Sequence, residues 1–161
     1  FPPHRVQFAG CGISPSGRVQ YIGRGAESDD PAFTADREVQ CLISACILCR
    51  ADVVREVGCF DTAFSPVQYE DLDLCYRIRE EGFRCYVVGG SEVYHFENTT
   101  TDGSSDINFR YVTIKNGLLF KERWKRHFSV EDGPADADTR WATLEQKSLA
   151  QMEPDWTPWP R

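Results

Sequence analysis

The chain has 161 residues, 41% apolar and 27% charged, enough to bury one core without disulfide staples and too ordinary in composition for a disordered protein. No run approaches the roughly 20 apolar residues that cross a bilayer, and a net charge of −7 speaks against nucleic acid as a partner, because phosphate backbones are bound by Lys and Arg. The seven cysteines are odd in number and sit mostly in apolar runs, the pattern of reduced thiols in a cytoplasmic protein.

The start, Phe1-Pro2-Pro3-His4-Arg5, lacks a leader's basic and apolar regions and an initiating Met, and reads as a piece or a processed chain. Arg5–Phe8 and Arg18–Ile22, joined through Ser14-Pro15-Ser16-Gly17, predict two strands of a hairpin. Gly25–Asp36 is polar and predicts a surface loop. Val39–Cys49 is apolar at nearly every position, the pattern of a strand covered on both faces in a helix-flanked sheet. A short helix is expected over Ala51–Val57, stopped by Gly58. The clearest helix is Glu70–Glu81, with acids in its first turn, Leu72, Cys75 and Ile78 on one side, and Gly82 as its stop. Strands are expected over Phe83–Val88 and Glu92–Phe96, and a mobile loop over Asn98–Asp106. A long amphipathic helix follows over Ile107–His127, with Phe109, Val112, Leu119, Phe120 and Trp124 as its apolar side. The division is thus residues 1–128 as one α/β unit, and residues 129–161 as a tail with one helix around Thr139–Met152 and a Pro-rich end.

Charge is unevenly spread. Between Ile107 and His127 six basic residues face Glu122 alone, whereas seven acids and three bases follow Ser129. The basic, aromatic-bearing stretch Lys121–Phe128 fits peripheral contact with an anionic membrane. It fits better a solvated helix face with Trp124 turned into the core. Cys46 and Cys49 form a C-x-x-C, but residues three apart on a strand point to opposite faces and no second ligand pair accompanies them, so zinc is disfavoured.

The run Gly58-Cys59-Phe60-Asp61-Thr62-Ala63-Phe64, then Tyr69-Glu70-Asp71-Leu72-Asp73-Leu74-Cys75-Tyr76-Arg77-Ile78-Arg79, then Gly82-Phe83-Arg84, resembles the G-x-F-D-x-x-F … E-D-x-D-L-C-x-R-x-R-x-x-G-[FY]-[RK] pattern of family 2 glycosyltransferases, particularly the rhamnosyltransferase-like branch. Val93-Tyr94-His95 and Lys115-Asn116-Gly117-Leu118-Leu119-Phe120 continue the resemblance, which covers about residues 39–127. It implies an α/β fold, part of the GT-A type with a mixed sheet flanked by helices. It also implies transfer of a sugar, with inversion, from a nucleotide-diphosphate sugar donor to a saccharide or lipid-linked acceptor. That chemistry needs a base for the acceptor hydroxyl and positive charge for the departing diphosphate.

By this resemblance Asp71 is the general base, Glu70 an acceptor ligand or orienting group, and His95 a ligand to Mg²⁺ or Mn²⁺ on the diphosphate. Ser104 and Ser105 fall in a segment resembling one that closes over bound nucleotide. Read without the family, acids enrich a first helical turn simply because they stabilise it by roughly 0.3–1 kcal/mol each. Asp73 lies about 200° around the helix from Asp71 and so takes a structural role. The resemblance begins partway into the family's fold. Its Asp-x-Asp metal motif is not visible here, since neither Asp29-Asp30 nor Asp136-Ala137-Asp138 follows an apolar strand. The expectation is therefore the acceptor-side, C-terminal half of such an enzyme, active in the cytoplasm or at the inner face of the membrane; the alternative is a non-catalytic carbohydrate-binding or assembly module derived from it.

Overall fold

The structure, a computed structural model, describes residues 5–96 and 107–145. Ser104 and Ser105 lie outside the described residues. The fold is α/β: short antiparallel ribbons packed against helices. β1 (Cys11–Ile13) and β2 (Val19–Tyr21) form a hairpin with Cys11 opposite Tyr21 and Ile13 opposite Val19. The Ser14–Gly17 connection is where the sequence puts it, closed by the Gly17 N–H on the Ser14 carbonyl at 2.8 Å.

The first strand of that hairpin is not Arg5–Phe8. Those residues run alongside the chain after β2, with Val6 donating to the Ala26 carbonyl at 2.9 Å and Ala9 to that of Ile22 at 3.0 Å. The short Ser14–Gly17 turn can only pair residues immediately flanking it, which selects Cys11–Ile13.

The second ribbon pairs β3 (Arg37–Val39) with β4 (Cys85–Val87), Val39 opposite Cys85. Cys41 joins the ribbons through two backbone bonds to Cys11, at 2.9 and 3.3 Å. Beyond Cys41 the expected buried strand ends. The Leu42 N–H is taken by the Cys75 sulfur at 3.3 Å and the Ser44 N–H by the Asp71 carboxylate at 3.0 Å. Side chains have replaced the strand partner, and Leu48 is 99% exposed. Nor do residues 91–96 form a strand.

The helices are closer to expectation because their signals are local. α1 (Pro31–Thr34), a single turn capped by Asp30, lies inside the stretch expected to be a loop. α2 (Ala51–Glu56) and α3 (Glu70–Glu80) end at Gly58 and Gly82, with φ of +85° and +83°, the left-handed conformation that a Cβ would penalise. α3 is buried over more of its surface than the sequence indicates: Leu72, Asp73, Leu74, Cys75 and Tyr76 are all buried, whereas Ile78 is half-buried. α4 spans Phe109–Phe128 and buries Val112, Asn116, Gly117, Phe120, Trp124 and Phe128. The expected C-terminal helix is absent over residues 139–145; the rest of it lies outside the described residues. Residues 131–145 instead lie along the hairpin, with Asp136 accepting from the Ser16 hydroxyl at 2.5 Å and Arg24 stacked over Trp141 at 4.1 Å.

The core lies between α3, α4 and the ribbons. Tyr76 stacks on Trp124 at 5.2 Å and meets the edge of Phe120 at 5.6 Å, above Cys11, Ile13, Val39 and Cys41. Cys41, Cys75 and Cys85 are buried in mutual contact; burial pushes the Cys41 thiol up to about 11. They behave as small protonated hydrophobes. Glu131 bridges the tail to the core, accepting from Gln40 at 2.7 Å, Tyr76 at 3.0 Å and Arg79 at 2.9 Å.

Asp73 is fully buried and ties α3 to α4. One carboxylate oxygen takes Arg77 at 2.8 Å; the other takes Arg123 at 2.7 Å and the Trp124 indole N–H at 2.8 Å. Asp73→Ala leaves two guanidinium groups and a buried indole N–H without their acceptor. It is expected to cost about 3 kcal/mol in urea unfolding, against about 1 kcal/mol or less for Arg126→Ala, whose pair with Glu80 is surface-exposed.

Candidate functional site

Residues 61–70 form the loop that aims the start of α3. Asp61 caps a 3-10 turn, Thr62–Phe64, through the Ala63 N–H at 2.8 Å, and its other oxygen holds Arg123 at 2.8 Å. The Asn116 amide nitrogen, wholly buried on α4, lies 2.6, 2.7 and 3.0 Å from the carbonyls of Phe64, Val67 and Gln68. Gln68 and Tyr69 then adopt φ of +79° and +74°, a left-handed pair costing non-glycine residues on the order of 1 kcal/mol each. The Tyr69 ring packs on Phe120 at 5.4 Å and against Gly117, where an added Cβ would stand 3.1 Å from the phenol oxygen. This clamp decides where Glu70 and Asp71 emerge.

Asp71 is half-buried. Its Oδ2 accepts from Ser44 N–H at 3.0 Å and its Oδ1 from Leu72 N–H at 2.8 Å. Burial nevertheless dominates these two donors and pushes the carboxyl up from its ordinary 3.8. Glu70, beside it, is also pushed up by burial, and then by the charge of Asp71; its Oε2 is buried without a hydrogen-bond partner. The sequence-predicted pair is therefore brought together at a helix N-terminus as two destabilised carboxylates. A carboxylate in this state is a stronger proton acceptor than an exposed one. Asp73 points away into the core, as its spacing indicates.

His95 is placed elsewhere. Its Nδ1 is 2.8 Å from the Gln7 side-chain oxygen, and it lines a groove of about 770 Å³ together with Leu42, Ile43, Ile47, Phe83 and Tyr86. Glu70 and Asp71 are not among its lining residues, although Ile43 and Ala45, which flank Ser44, are. Among the described residues no group of three or more His, Cys, Asp or Glu side chains could hold a metal ion. His95 offers one nitrogen, and the residues described do not by themselves fit a divalent cation. Cys46 is exposed and Cys49 partly so.

The sequence reading missed Asn116 as a functional determinant. The available signal was a polar residue four positions from both Val112 and Phe120, on the helix's apolar side. It also missed Ser44, whose backbone N–H donates to Asp71.

Residues 17–113 match the family described as glycosyltransferase like family 2. An uncharacterized protein, y4gI, of Sinorhizobium fredii is 24% identical over 162 residues, an alignment that takes in 97% of this chain and 17% of the relative. The chain thus spans a small part of the length of that relative. No solved structure matches it.

Two measurements check this geometry. Asn116→Ala uncouples α4 from the loop and leaves backbone carbonyls unpaired, and a loss of about 2 kcal/mol in urea unfolding is expected. Glu70→Gln acts in the other direction. Because the folded state raises the Glu70 carboxyl above its ordinary 4.5, the native chain keeps the proton more tightly than the unfolded one, and stability falls as pH rises through the native value. Glu70→Gln should therefore raise Tm at pH values where Glu70 is ionised and lose that advantage well below 4.5; an equal Tm difference at both pH extremes would contradict the assignment.

Proposed function

Because this chain belongs to the glycosyltransferase like family 2, we propose that it carries the acceptor side of a sugar transfer with inversion, from a nucleotide-diphosphate sugar to a saccharide or lipid-linked acceptor. The observation that carries this reading is the Glu70–Asp71 pair at the start of α3, partly withdrawn from water and fixed by the Ser44 N–H and the Asn116 clamp.

In the proposed reaction Asp71 accepts the proton of the acceptor hydroxyl as that oxygen attacks the anomeric carbon. The bond from that carbon to the diphosphate oxygen breaks with its electron pair, and the nucleoside diphosphate leaves. Glu70 accepts a hydrogen bond from a neighbouring acceptor hydroxyl. His95 would supply a single nitrogen toward the diphosphate or a divalent cation carried by it, with the other ligands provided from outside the described residues. A donor site is proposed for the whole protein rather than for this stretch.

The test is release of nucleoside diphosphate by the full-length protein from UDP-, dTDP- and GDP-sugars in the presence of saccharide acceptors. Asp71→Asn should lower kcat by about 10²–10⁴-fold, the usual contribution of a general base, while Glu70→Gln acts chiefly on KM for the acceptor. Since the base must be ionised, the acidic limb of kcat/KM should lie above 3.8, the ordinary aspartate value. Wild-type turnover in Asp71→Asn would overturn the assignment. Saccharide binding by a wild type that shows no turnover would favour a binding module.

A further inference from the structure

α4 meets the core through Val112, Asn116, Phe120, Trp124 and Phe128, a stripe at four-residue spacing that accounts for its packing. On the opposite side stand Tyr111, Ile114 and Leu118, which are 64%, 56% and 64% exposed. Spacings of three and four put these side chains on one face of the helix. Single exposed apolar residues are common on any protein; a row of three on a helix already packed through its other side is not explained by folding.

The charges around this row complete the surface. Arg110 and Lys115 flank it, and Lys125 continues it two turns beyond Leu118; all three are exposed. Glu122, exposed one turn beyond Leu118 on the same face, is the one acid between Ile107 and His127, in a chain whose net charge is −7. Positive charge is thus concentrated where apolar side chains are exposed, against the trend of the molecule. Trp124 and Phe128, the aromatic residues of the stretch Lys121–Phe128, face the core, so the surface lies half a helix earlier than the sequence indicates. Among the described residues no helix is long and apolar enough to cross a membrane.

We propose that the outward face of α4 lies flat on an anionic lipid surface. Tyr111, Ile114 and Leu118 enter the boundary between headgroups and acyl chains, and Arg110, Lys115 and Lys125 meet the lipid phosphates. The basic flank favours this partner over an apolar protein surface, which would leave those charges unmatched. α4 also carries Asn116, so the same helix that touches lipid positions the loop leading to Glu70 and Asp71. That consequence, an acceptor brought to the acid pair from the membrane, rests on the reading under Proposed function; the lipid contact does not.

The experiment is co-sedimentation of the purified full chain with phosphatidylcholine vesicles with and without phosphatidylserine, comparing the wild type with Ile114→Glu/Leu118→Glu and Arg110→Ser/Lys125→Ser. Binding should require phosphatidylserine. Removing two basic residues should weaken it about 25-fold, at about a factor of five for each charge near the surface. The glutamate pair should abolish it. Circular dichroism melts should be unchanged, as all four positions are exposed. Three results would overturn the proposal: no phosphatidylserine-dependent binding, binding that survives the glutamate pair, or light scattering that shows a dimer which the glutamate pair dissociates, so that a second copy covers the face. Vesicle binding needs no sugar donor, and sugar transfer to a soluble saccharide needs no vesicle, so either reading can fail alone.

Discussion

The Asp73 carboxylate holds the site in place without touching it. Buried between α3 and α4, it gathers Arg77, Arg123 and the Trp124 indole, and each partner is committed to something else as well. Arg77 reaches the carbonyls of Val57 and Cys59 at the end of α2, and Arg123 reaches Asp61 at the entrance to the loop. One charge thus fixes the relative position of three helices and the 61–70 loop. Such a network costs desolvation and repays it only when every member is paired, so the geometry it selects is narrow. Within that frame Asn116 sets the loop backbone and forces the left-handed pair before Glu70.

The acids of this segment consequently divide by energy. Asp61 and Asp73 are satisfied by cations and N–H donors, and Asp61 is held below the ordinary aspartate range, chiefly by the Ala63 N–H and then by Arg123. Glu70 and Asp71 are raised instead, because burial outweighs what their donors return. Strain and uncompensated charge sit at one place, and the surrounding network sustains them. The groove lined by His95 shares the Ile43–Ala45 backbone with this pair, and its apolar walls remain where a longer strand was expected.

How much of this could be read in the sequence follows the range of the interactions. Helix ends were legible because Gly58, Gly82 and the acids of the first turn of α3 act within a few residues. The separate direction of Asp73 followed from helical spacing alone. The residues that accept its charge did not, since Arg123 and Trp124 lie 50 and 51 residues away. Strands were the least legible: Val39–Cys49 has the composition of a buried strand, but pairing depends on what stands beside it, and Cys75 and Asp71 supply bonds there in place of a neighbouring strand. The role of Glu131, reaching back 91 residues to Gln40, carried no local signal. The row Tyr111, Ile114, Leu118 was hidden by a helix apolar on more than one side.

The central claim is that this frame leaves Asp71 a raised, proton-accepting carboxylate while Asp73, in the same helix turn, serves structure. It is tested most directly by following the Asp71 carboxyl carbon through a pH titration by ¹³C NMR in the wild type, assigned with Asp71→Asn. The account predicts a midpoint above the ordinary 3.8. A midpoint at or below that value would mean that the Ser44 and Leu72 N–H groups outweigh burial, and that Asp71 is a helix cap rather than a base.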